Sequence, residues 1–335
     1  MSDTDHELMH PAGETPAWSE SYYFNFVDPE TKIGMFSRMG FRPGDGWADA
    51  LHAVYLPGSR VAFTYGRRGI SNNLSVYDGD LHAGHLTFKN DASHQRWQLH
   101  FDGPAQDIAD ASILLQRSKL RPKGWFKPAT MQMELTFQCI TEPHFKFNHD
   151  SSYGHFEQSG RVSGVIQIGG SRYEVNGYGV RDKSWGPRDW GASQRSSEAR
   201  SAPTFSTPDN PAPFVNWFSM NFGEHGALGG SCFVQPSGEI KGSGWIQQDG
   251  RTLPLTEVTI ASTYRESSIL HDSVHLRGRI NNNEPIEITG RMLNMCPTKV
   301  SMHGGATFIN EGLAEFQWNG RNGYGIAEHW HAVAK

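Results

Sequence analysis

The chain is poor in cysteine, in charged residues and in long apolar runs. Its three cysteines, Cys139, Cys232 and Cys296, lie far apart in 335 residues and form neither a disulfide framework nor a zinc cluster. They indicate buried thiols in a reducing compartment. No stretch reaches the roughly 18 uncharged apolar residues that a membrane span needs, and residues 1–20 lack the apolar region of a signal peptide. We therefore expect a cytoplasmic protein without a membrane span.

The sequence also lacks a surplus of basic residues and the common phosphate and hydrolase motifs. Its 30 Lys and Arg against 35 Asp and Glu give a net charge of -5, which argues against nucleic acid as a partner. The glycines at 169–170 and 226–230 have no helix after them, so they do not predict a phosphate cradle. A Gly-x-Ser-x-Gly elbow is absent, which argues against a serine hydrolase.

Glycine and aromatic residues, in contrast, are plentiful. With 37 glycines, 12% aromatic and only 19% charged residues, the composition favours β-structure with many turns over a helical bundle. The length exceeds that of a usual single core and predicts two domains or one large two-part β assembly. Helical periodicity is scarce, and only residues 105–120 suggest one short helix.

Alternating polar and apolar residues predict strands with one solvent-exposed face and one buried face. Residues 22–27 and 33–41 flank an Asp-Pro-Glu-Thr turn and predict a hairpin, as residues 214–222 and 227–234 do later. The run 313–330 predicts another around Asn-Gly, the dipeptide typical of tight hairpins.

The last predicted strand has two different faces. Tyr324, Ile326, Glu328 and Trp330 share one face, which predicts either an inward carboxylate or a partner for an arginine such as Arg181 or Arg188. His329 and His331 share the other face.

Weak internal similarity and composition suggest where the domains lie. The runs 164–177 and 278–290 share one pattern: a strand, a polar turn, and a second strand that ends at a glycine. We predict a disordered N-terminal tail over residues 1–20, a first domain over 21–175, and a second over 176–335 that carries the central motif. Residues 192–212, rich in Ser, Pro and Arg, predict a long exposed loop or lid.

The densest stretch is the central motif, residues 177–190, which reads GYGVRDKSWGPRDW. It holds two Arg-Asp pairs, seven residues apart, each close to a tryptophan. Charged side chains next to tryptophans indicate a cluster of polar groups in apolar surroundings. Such surroundings perturb the pKa values of carboxylates. One interpretation is a catalytic acid; the other is a structural lattice of ion pairs that braces the Gly-Pro turn.

Three segments together resemble the bacterial and fungal family of tandem lipocalin-like proteins. They are the opening FNFVDPET at 24–31, the central motif, and the closing GYGIAE at 323–328. This family is similar to carotenoid 1,2-hydratases, kievitone hydratase and some fungal Diels-Alderases, and the resemblance covers about Tyr22 to Trp330. It implies an all-β chain of two lipocalin-like β-barrel domains packed side by side, with an apolar cavity and no organic cofactor.

Alkene hydration and its reversal need a strong proton donor beside a carbocation-like transition state. A carboxylic acid held protonated by apolar walls supplies the proton, and aromatic faces stabilise the cation. In order of preference, the candidate acids are Asp182, Asp189 and Glu328. The candidate walls for the substrate are Tyr178, Trp185, Trp190, Trp217 and Tyr324, and the candidate supporting residues are Arg181, Arg188 and Ser184.

His329 and His331 have a spacing that some metal sites use. A third ligand, such as His303 or Glu224, would be required, and such pairs arise by chance in a chain with 16 histidines. We therefore expect no metal.

The leading hypothesis is a cofactor-independent lyase, either a hydratase or dehydratase, or else an isomerase. Its expected partner is a small apolar terpenoid, isoprenoid or aromatic substrate, and a homodimer is left open. Two alternatives are a non-catalytic carrier of hydrophobic ligands and a Diels-Alderase-type cyclase, which needs orientation more than proton transfer.

Overall fold

The structure is a computed structural model that describes residues 6–14, 17–146, 150, 152–188, 205–235, 237–248, 250–302 and 305–334. It is 68% strand and 6% helix and contains two closed eight-stranded antiparallel barrels, so the predicted all-β class is confirmed. The helices of the described residues are short 3-10 turns: Pro43–Asp45, Leu74–Tyr77, Ala111–Leu115, Ser118–Leu120 and Gly223–His225. None of them is long and apolar enough to cross a bilayer.

The first sheet contains eleven strands. They are β1 (Glu20–Val27), β2 (Gly34–Arg42), β3 (Trp47–Tyr55), β4 (Val61–Gly69), β5 (Leu81–Ala83), β6 (Leu86–Ala92), β7 (Arg96–Ile108), β8 (Lys127–Cys139), β9 (His144–Phe145), β10 (Gly154–Ile168) and β11 (Ser171–Trp185). Eight of them follow the order β4-β3-β2-β1-β11-β10-β8-β7, and β4 also pairs with β7, which closes the ring. The helix predicted within 105–120 is instead the end of β7 and two 3-10 turns; of the turn that follows β7, only Ala111 and Leu114 are buried.

The second sheet is a closed barrel in which each strand pairs with the next. Its strands are β12 (Pro213–Asn221), β13 (Ala227–Val234), β14 (Ile240–Gln248), β15 (Arg251–Tyr264), β16 (His271–Ile280), β17 (Glu284–Met302), β18 (Gly305–Trp318) and β19 (Arg321–Ala334). The three predicted hairpins are confirmed as β1–β2, β12–β13 and β18–β19. In the last of them Asn319 and Gly320 have φ of 49° and 74°, the left-handed pair that a tight hairpin turn requires.

The chain divides into two compact units. The first comprises Met1–Val54, Ala62–Asp107 and Phe126–Arg188, and the remainder forms the second. The division therefore falls after Arg188, whereas the sequence analysis placed it between residues 175 and 176. β11 runs unbroken through that point and pairs with β1 and β10 of the first barrel, so the first half of the central motif belongs to the first unit.

The segment 6–14 also differs from the predicted tail. Glu7 and His10 are each 3% exposed, and β1 already begins at Glu20. Its buried residues supply partners to charged side chains inside the first barrel, as described below, while Leu8 and Glu14 are exposed.

The last strand of each barrel, β11 or β19, contains a Gly-Tyr-Gly sequence. A Cβ atom at Gly179 would lie 1.7 Å from the carbonyl oxygen of Asn25, and one at Gly325 would lie 1.9 Å from that of Ser219. Only glycine permits this approach of the closing strand to the first strand of its barrel. The two Gly-Tyr-Gly sequences therefore occupy equivalent places in β11 and β19.

Candidate active site

Arg181 on β11 points into the first barrel and is 1% exposed. Its Nη1 donates to Oε2 of Glu7 at 2.9 Å and its Nη2 to Oε1 at 2.5 Å, while Nε donates to Oε1 of Gln158 at 2.8 Å. The guanidinium also lies 5.0 Å above the ring of Phe156. This bidentate, buried pair fits a structural role.

Lys183 is the next inward-facing residue of β11 and is completely buried. Its Nζ lies 3.0 Å from Oε1 of Glu20 and donates to the carbonyl oxygens of His6 and Leu8. Burial lowers the pKa of Lys183, whereas Glu20 opposes that shift. Burial alone would raise the pKa of Glu20, but the charge of Lys183 and the hydrogen bond from His10 lower it on balance.

Trp185 shares this interior. Its ring stacks on those of His10 and His6 at 4.1 and 4.9 Å, and its Nε1 donates to the carbonyl oxygen of Asp150 at 2.7 Å. Two residues separated by an odd number lie on opposite faces of a strand. Arg181 and Trp185 are therefore on the face of β11 opposite to Asp182, so the structure does not bring them to that carboxylate.

Asp182 lies on the outer face of β11, where β10 places Glu157 directly opposite it. Nε2 of His155 is 3.1 Å from Oε1 of Glu157 and 3.3 Å from Oδ2 of Asp182. We call these three residues the acid cluster. Their side chains are 14%, 1% and 15% exposed for His155, Glu157 and Asp182, so one imidazole is held between two largely buried carboxylates.

The surroundings change the acidity of Asp182. Burial raises its pKa above the usual value, and the negative charge of Glu157 raises it further, while His155 and Arg188 act in the opposite direction. The pKa of Asp182 is raised on balance, so this carboxyl binds a proton more readily than a surface aspartate. On its other side Asp182 pairs in register with Tyr23, whose ring stacks on Phe36 with centroids 6.5 Å apart.

Two predicted supporting residues share this outer face. Nη2 of Arg188 donates to Oγ of Ser184 at 2.9 Å, and Oγ of Ser184 is 3.0 Å from Oγ of Ser21. Tyr178 lies on the same face of β11 as Asp182, four residues earlier. The structure thus places Tyr178, Asp182, Ser184 and the Arg188 side chain on one side of the closing strand.

Glu328 is on the outer face of the second barrel and is 7% exposed. Its register partners are Trp217 on β12 and Glu311 on β18, and its Oε1 accepts a hydrogen bond from Nε1 of Trp330. Tyr324, on the same face of β19, donates to Oε1 of Glu315 at 2.9 Å. Of the two arginines considered as its mates, Arg181 is engaged by Glu7 instead.

The Gly-Tyr-Gly alignment relates the two outer faces. Counting from the glycines, Asp182 and Glu328 are equivalent, and each pairs in register with an aromatic residue of the first strand, Tyr23 or Trp217. Each barrel therefore carries a carboxylate beside an aromatic ring at the same position.

The whole chain matches one protein family, described as a domain of unknown function (DUF7064), over residues 3–333. The chain belongs to the DUF7064 family. No curated protein matches the sequence.

Solved structures identify the fold of this DUF7064 chain. A protein assigned as AttH from Nitrosomonas europaea is 12% identical with a TM-score of 0.58, over 94% of this chain and 92% of that one. CghA is 10% identical with a TM-score of 0.56, over 95% and 89%. Kievitone hydratase from Nectria haematococca is 9% identical with a TM-score of 0.54, over 99% and 93%. The predicted resemblance to this group is confirmed as a likeness of fold.

Several predicted residues of the DUF7064 chain lie outside the described residues. They include Asp189, Trp190, His303 and most of the loop predicted at 192–212, and nothing is described for the Glu224 side chain. Sequence reasoning also missed the contact of His155 with Glu157, and it missed Glu7. The His-x-Glu spacing on β10 was a usable signal for the first two, because it puts both side chains on one face.

Within the described residues, one group of ligand-type side chains has all its ligand atoms within 4.8 Å of one another, and it is the acid cluster. An imidazole with two carboxylates is a donor set that divalent metals accept. In this DUF7064 chain Nε2 of His155 lies within 3.3 Å of an oxygen of each carboxylate.

Proposed function

We propose that this protein is a cofactor-independent hydro-lyase or isomerase that acts on an apolar small molecule of the terpenoid, isoprenoid or aromatic class, with Asp182 as proton donor. The observation that carries the proposal is the acid cluster, in which Asp182 has a raised pKa and contacts His155. A carboxylic acid of this kind is what protonation of an alkene or a tertiary alcohol requires. The shared fold with kievitone hydratase supports the same reaction class by analogy only.

The reaction can be written with the three residues of the acid cluster. Asp182 gives its proton to one alkene carbon, and the neighbouring carbon becomes cationic beside the ring of Tyr23. A water oxygen then bonds to the cationic carbon and loses a proton to the His155–Glu157 couple. His155, within hydrogen-bonding range of both carboxylates, returns that proton to Asp182, so one water is added and the enzyme is restored.

Asp182→Asn is expected to reduce turnover by about 10²-fold or more, because the amide keeps the shape of the carboxyl but has no transferable proton. The measurement is incorporation of ¹⁸O from labelled water into a panel of isoprenoid alkenes, and loss of water from tertiary allylic alcohols such as linalool, followed by mass spectrometry. Asp102→Asn, an exposed aspartate on β7, serves as the control and should match the wild type.

Melting of Asp182→Asn should stay near that of the wild type, which separates catalysis from stability. Asp189→Asn and Glu328→Gln test the other two candidate acids in the same assay. Wild-type turnover in all three amide variants would exclude a proton donor and favour the carrier or the cyclase.

The pH profile of kcat/KM gives a second test, because Asp182 acts in its protonated form and the rate should fall as pH rises through its pKa. Glu157→Gln removes a negative charge that raises this pKa, so the falling limb should move to lower pH. His155→Gln removes a partner that lowers the pKa, so the limb should move to higher pH. A merely structural cluster would not produce shifts of opposite sign.

A further inference from the structure

The interior of the second barrel is apolar over most of its length, with Phe218, Leu228, Ile288 and Phe316 among its buried residues. It becomes polar at the end where β15 stops and β16 starts. We call this region the imidazole end; it consists of Tyr264, His271, Asn310, His329 and His331. The rings of His271 and His329 stack with centroids 3.7 Å apart, and the ring of Tyr264 is 6.0 and 5.9 Å from those of His329 and His331.

The hydrogen bonds of His271 and Asn310 identify which of their polar atoms remain available as acceptors. Nε2 of His271 is 3.0 Å from the carbonyl oxygen of Ala327, so this nitrogen carries the hydrogen and Nδ1 is a bare lone pair. The amide nitrogen of Asn310 donates to the carbonyl oxygen of Ile269 at 2.9 Å. Nδ1 of His271 and Oδ1 of Asn310 are buried acceptors, and no described residue is a partner for either.

His331 presents a third acceptor by the same reasoning. Oγ of Ser206 donates its only hydrogen to the carbonyl oxygen of Ala212 at 2.8 Å. It therefore accepts from Nδ1 of His331, 2.8 Å away, and Nε2 of His331 is a lone pair that has no partner among the described residues. His271, Asn310 and His331 are all completely buried.

Three buried acceptors at one end of an apolar barrel require something that donates hydrogen bonds. Buried polar atoms in native proteins are met by protein, ordered water or ligand. The rings of His271 and His331 cannot donate to each other, because each neutral ring has one N–H and uses it, on Ala327 and on Ser206 respectively. Burial lowers the pKa of both rings to about 3, which keeps them neutral. The ring nitrogens of His329 lie 3.3 and 3.4 Å from the hydroxyl oxygens of Ser262 and Tyr264.

The first barrel shows how the equivalent positions are satisfied there. Counting from Gly-Tyr-Gly, Lys183 and Trp185 correspond to His329 and His331. In the first barrel the chain itself provides the partners: Lys183 donates to carbonyl oxygens of the segment 6–14, and Trp185 donates to that of Asp150. Among the described residues of the second barrel, His331 has a partner for only one of its two ring nitrogens.

We propose that the imidazole end binds a small apolar molecule that carries hydroxyl groups, an alcohol or a phenol, whose O–H groups donate to these acceptors. The apolar residues of the barrel would contact the body of the molecule, and Tyr264 would contact its ring or chain. A metal ion suits the region less well. Stacked imidazoles do not direct two lone pairs at one point, and among the described residues the group with ligand atoms within 4.8 Å of one another is the acid cluster, not this one. This site lies in the second barrel and is independent of the acid cluster.

The test uses two probes with the same ring, resorcinol, which has two O–H donors, and 1,3-dimethoxybenzene, which has none. Isothermal titration calorimetry on the full chain should give saturable resorcinol binding and at least 10-fold weaker binding of the ether. Asn310→Leu and His331→Phe should each weaken resorcinol binding at least 10-fold. His275→Phe, a partly exposed histidine of β16 paired with Glu287, is the control and should bind normally.

A second measurement needs no variant and so does not depend on their folding. In ¹⁵N NMR of wild-type protein labelled at histidine, resorcinol should shift the resonances of the unprotonated nitrogens of His271 and His331, and the ether should not. Absence of resorcinol binding, equal binding of the two probes, or unshifted nitrogens would overturn the proposal and leave ordered water as the occupant.

Discussion

Glu7→Gln is expected to lower the free energy of unfolding by roughly 3–5 kcal/mol, because it removes the carboxylate from a buried ion pair and leaves the other charge uncompensated. Glu7 and Arg181 each have 1% of the side chain exposed, so water cannot replace the lost partner. Urea unfolding followed by tryptophan fluorescence measures the change. Glu14→Gln, an exposed glutamate of the same segment, is the matched control and should unfold as the wild type does.

The double variant Glu7→Gln, Arg181→Met tests the explanation. Replacing both charges by uncharged groups avoids the unpaired guanidinium, so part of the lost stability should return. If Glu7→Gln alone unfolds at the wild-type urea concentration, the segment 6–14 does not contribute to the first barrel in the way described.

Acidification is expected to destabilise the protein steeply below about pH 6.5, because buried neutral histidines must be protonated in the unfolded chain. Burial lowers the pKa of His52, His271 and His331 to about 3. Between that value and the ordinary histidine pKa of roughly 6.5 the unfolded state binds more protons than the folded state, so stability falls as pH falls. Each histidine contributes about 1.4 kcal/mol per pH unit in this window, and the three together approach roughly 4 kcal/mol per unit.

Carboxylates modify this slope in known directions. The raised pKa of Asp182 gives the folded state an extra proton and opposes the loss, whereas the lowered pKa of Glu20 adds to it at more acidic pH. Free energies from urea unfolding at several pH values between 7.5 and 4.5 provide the slope. His52→Gln should reduce the slope of the unfolding free energy against pH by the contribution of one histidine, roughly 1.4 kcal/mol per pH unit. A stability that is flat from pH 6.5 to 4.5 would show that these rings are not buried neutral.

The sequence predicts local features of this fold better than its long-range pairings. The Asn319–Gly320 turn and the alternation around it identify the last hairpin, because both signals act within a few residues. The boundary expected at 175–176 and the division after Arg188 differ, because β11 continues through Gly177 and Gly179, which are required where β11 packs against β1. Nothing local to Glu7 indicates that it meets Arg181, 174 residues away.

The candidate site was likewise predictable only in part. The faces of β11 follow from counting, so the separation of Trp185 from Asp182 could have been found in the sequence. The contact of His155 with Asp182 could not, because it depends on the register between β10 and β11. Register is fixed by the packing of a whole strand and not by the residues that meet.

The two Gly-Tyr-Gly sequences also bear on the ancestry of the chain. A gene that encoded one barrel and was then duplicated would leave the same glycines in both copies, and with them one acidic position three residues further on. Asp182 and Glu328 are then paralogous residues that descend from a single codon. After the duplication each copy was free to diverge, which accounts for Lys183 and Trp185 at the inward positions of β11 where β19 has His329 and His331. A duplication of this kind makes β11 and β19 two versions of one ancestral strand.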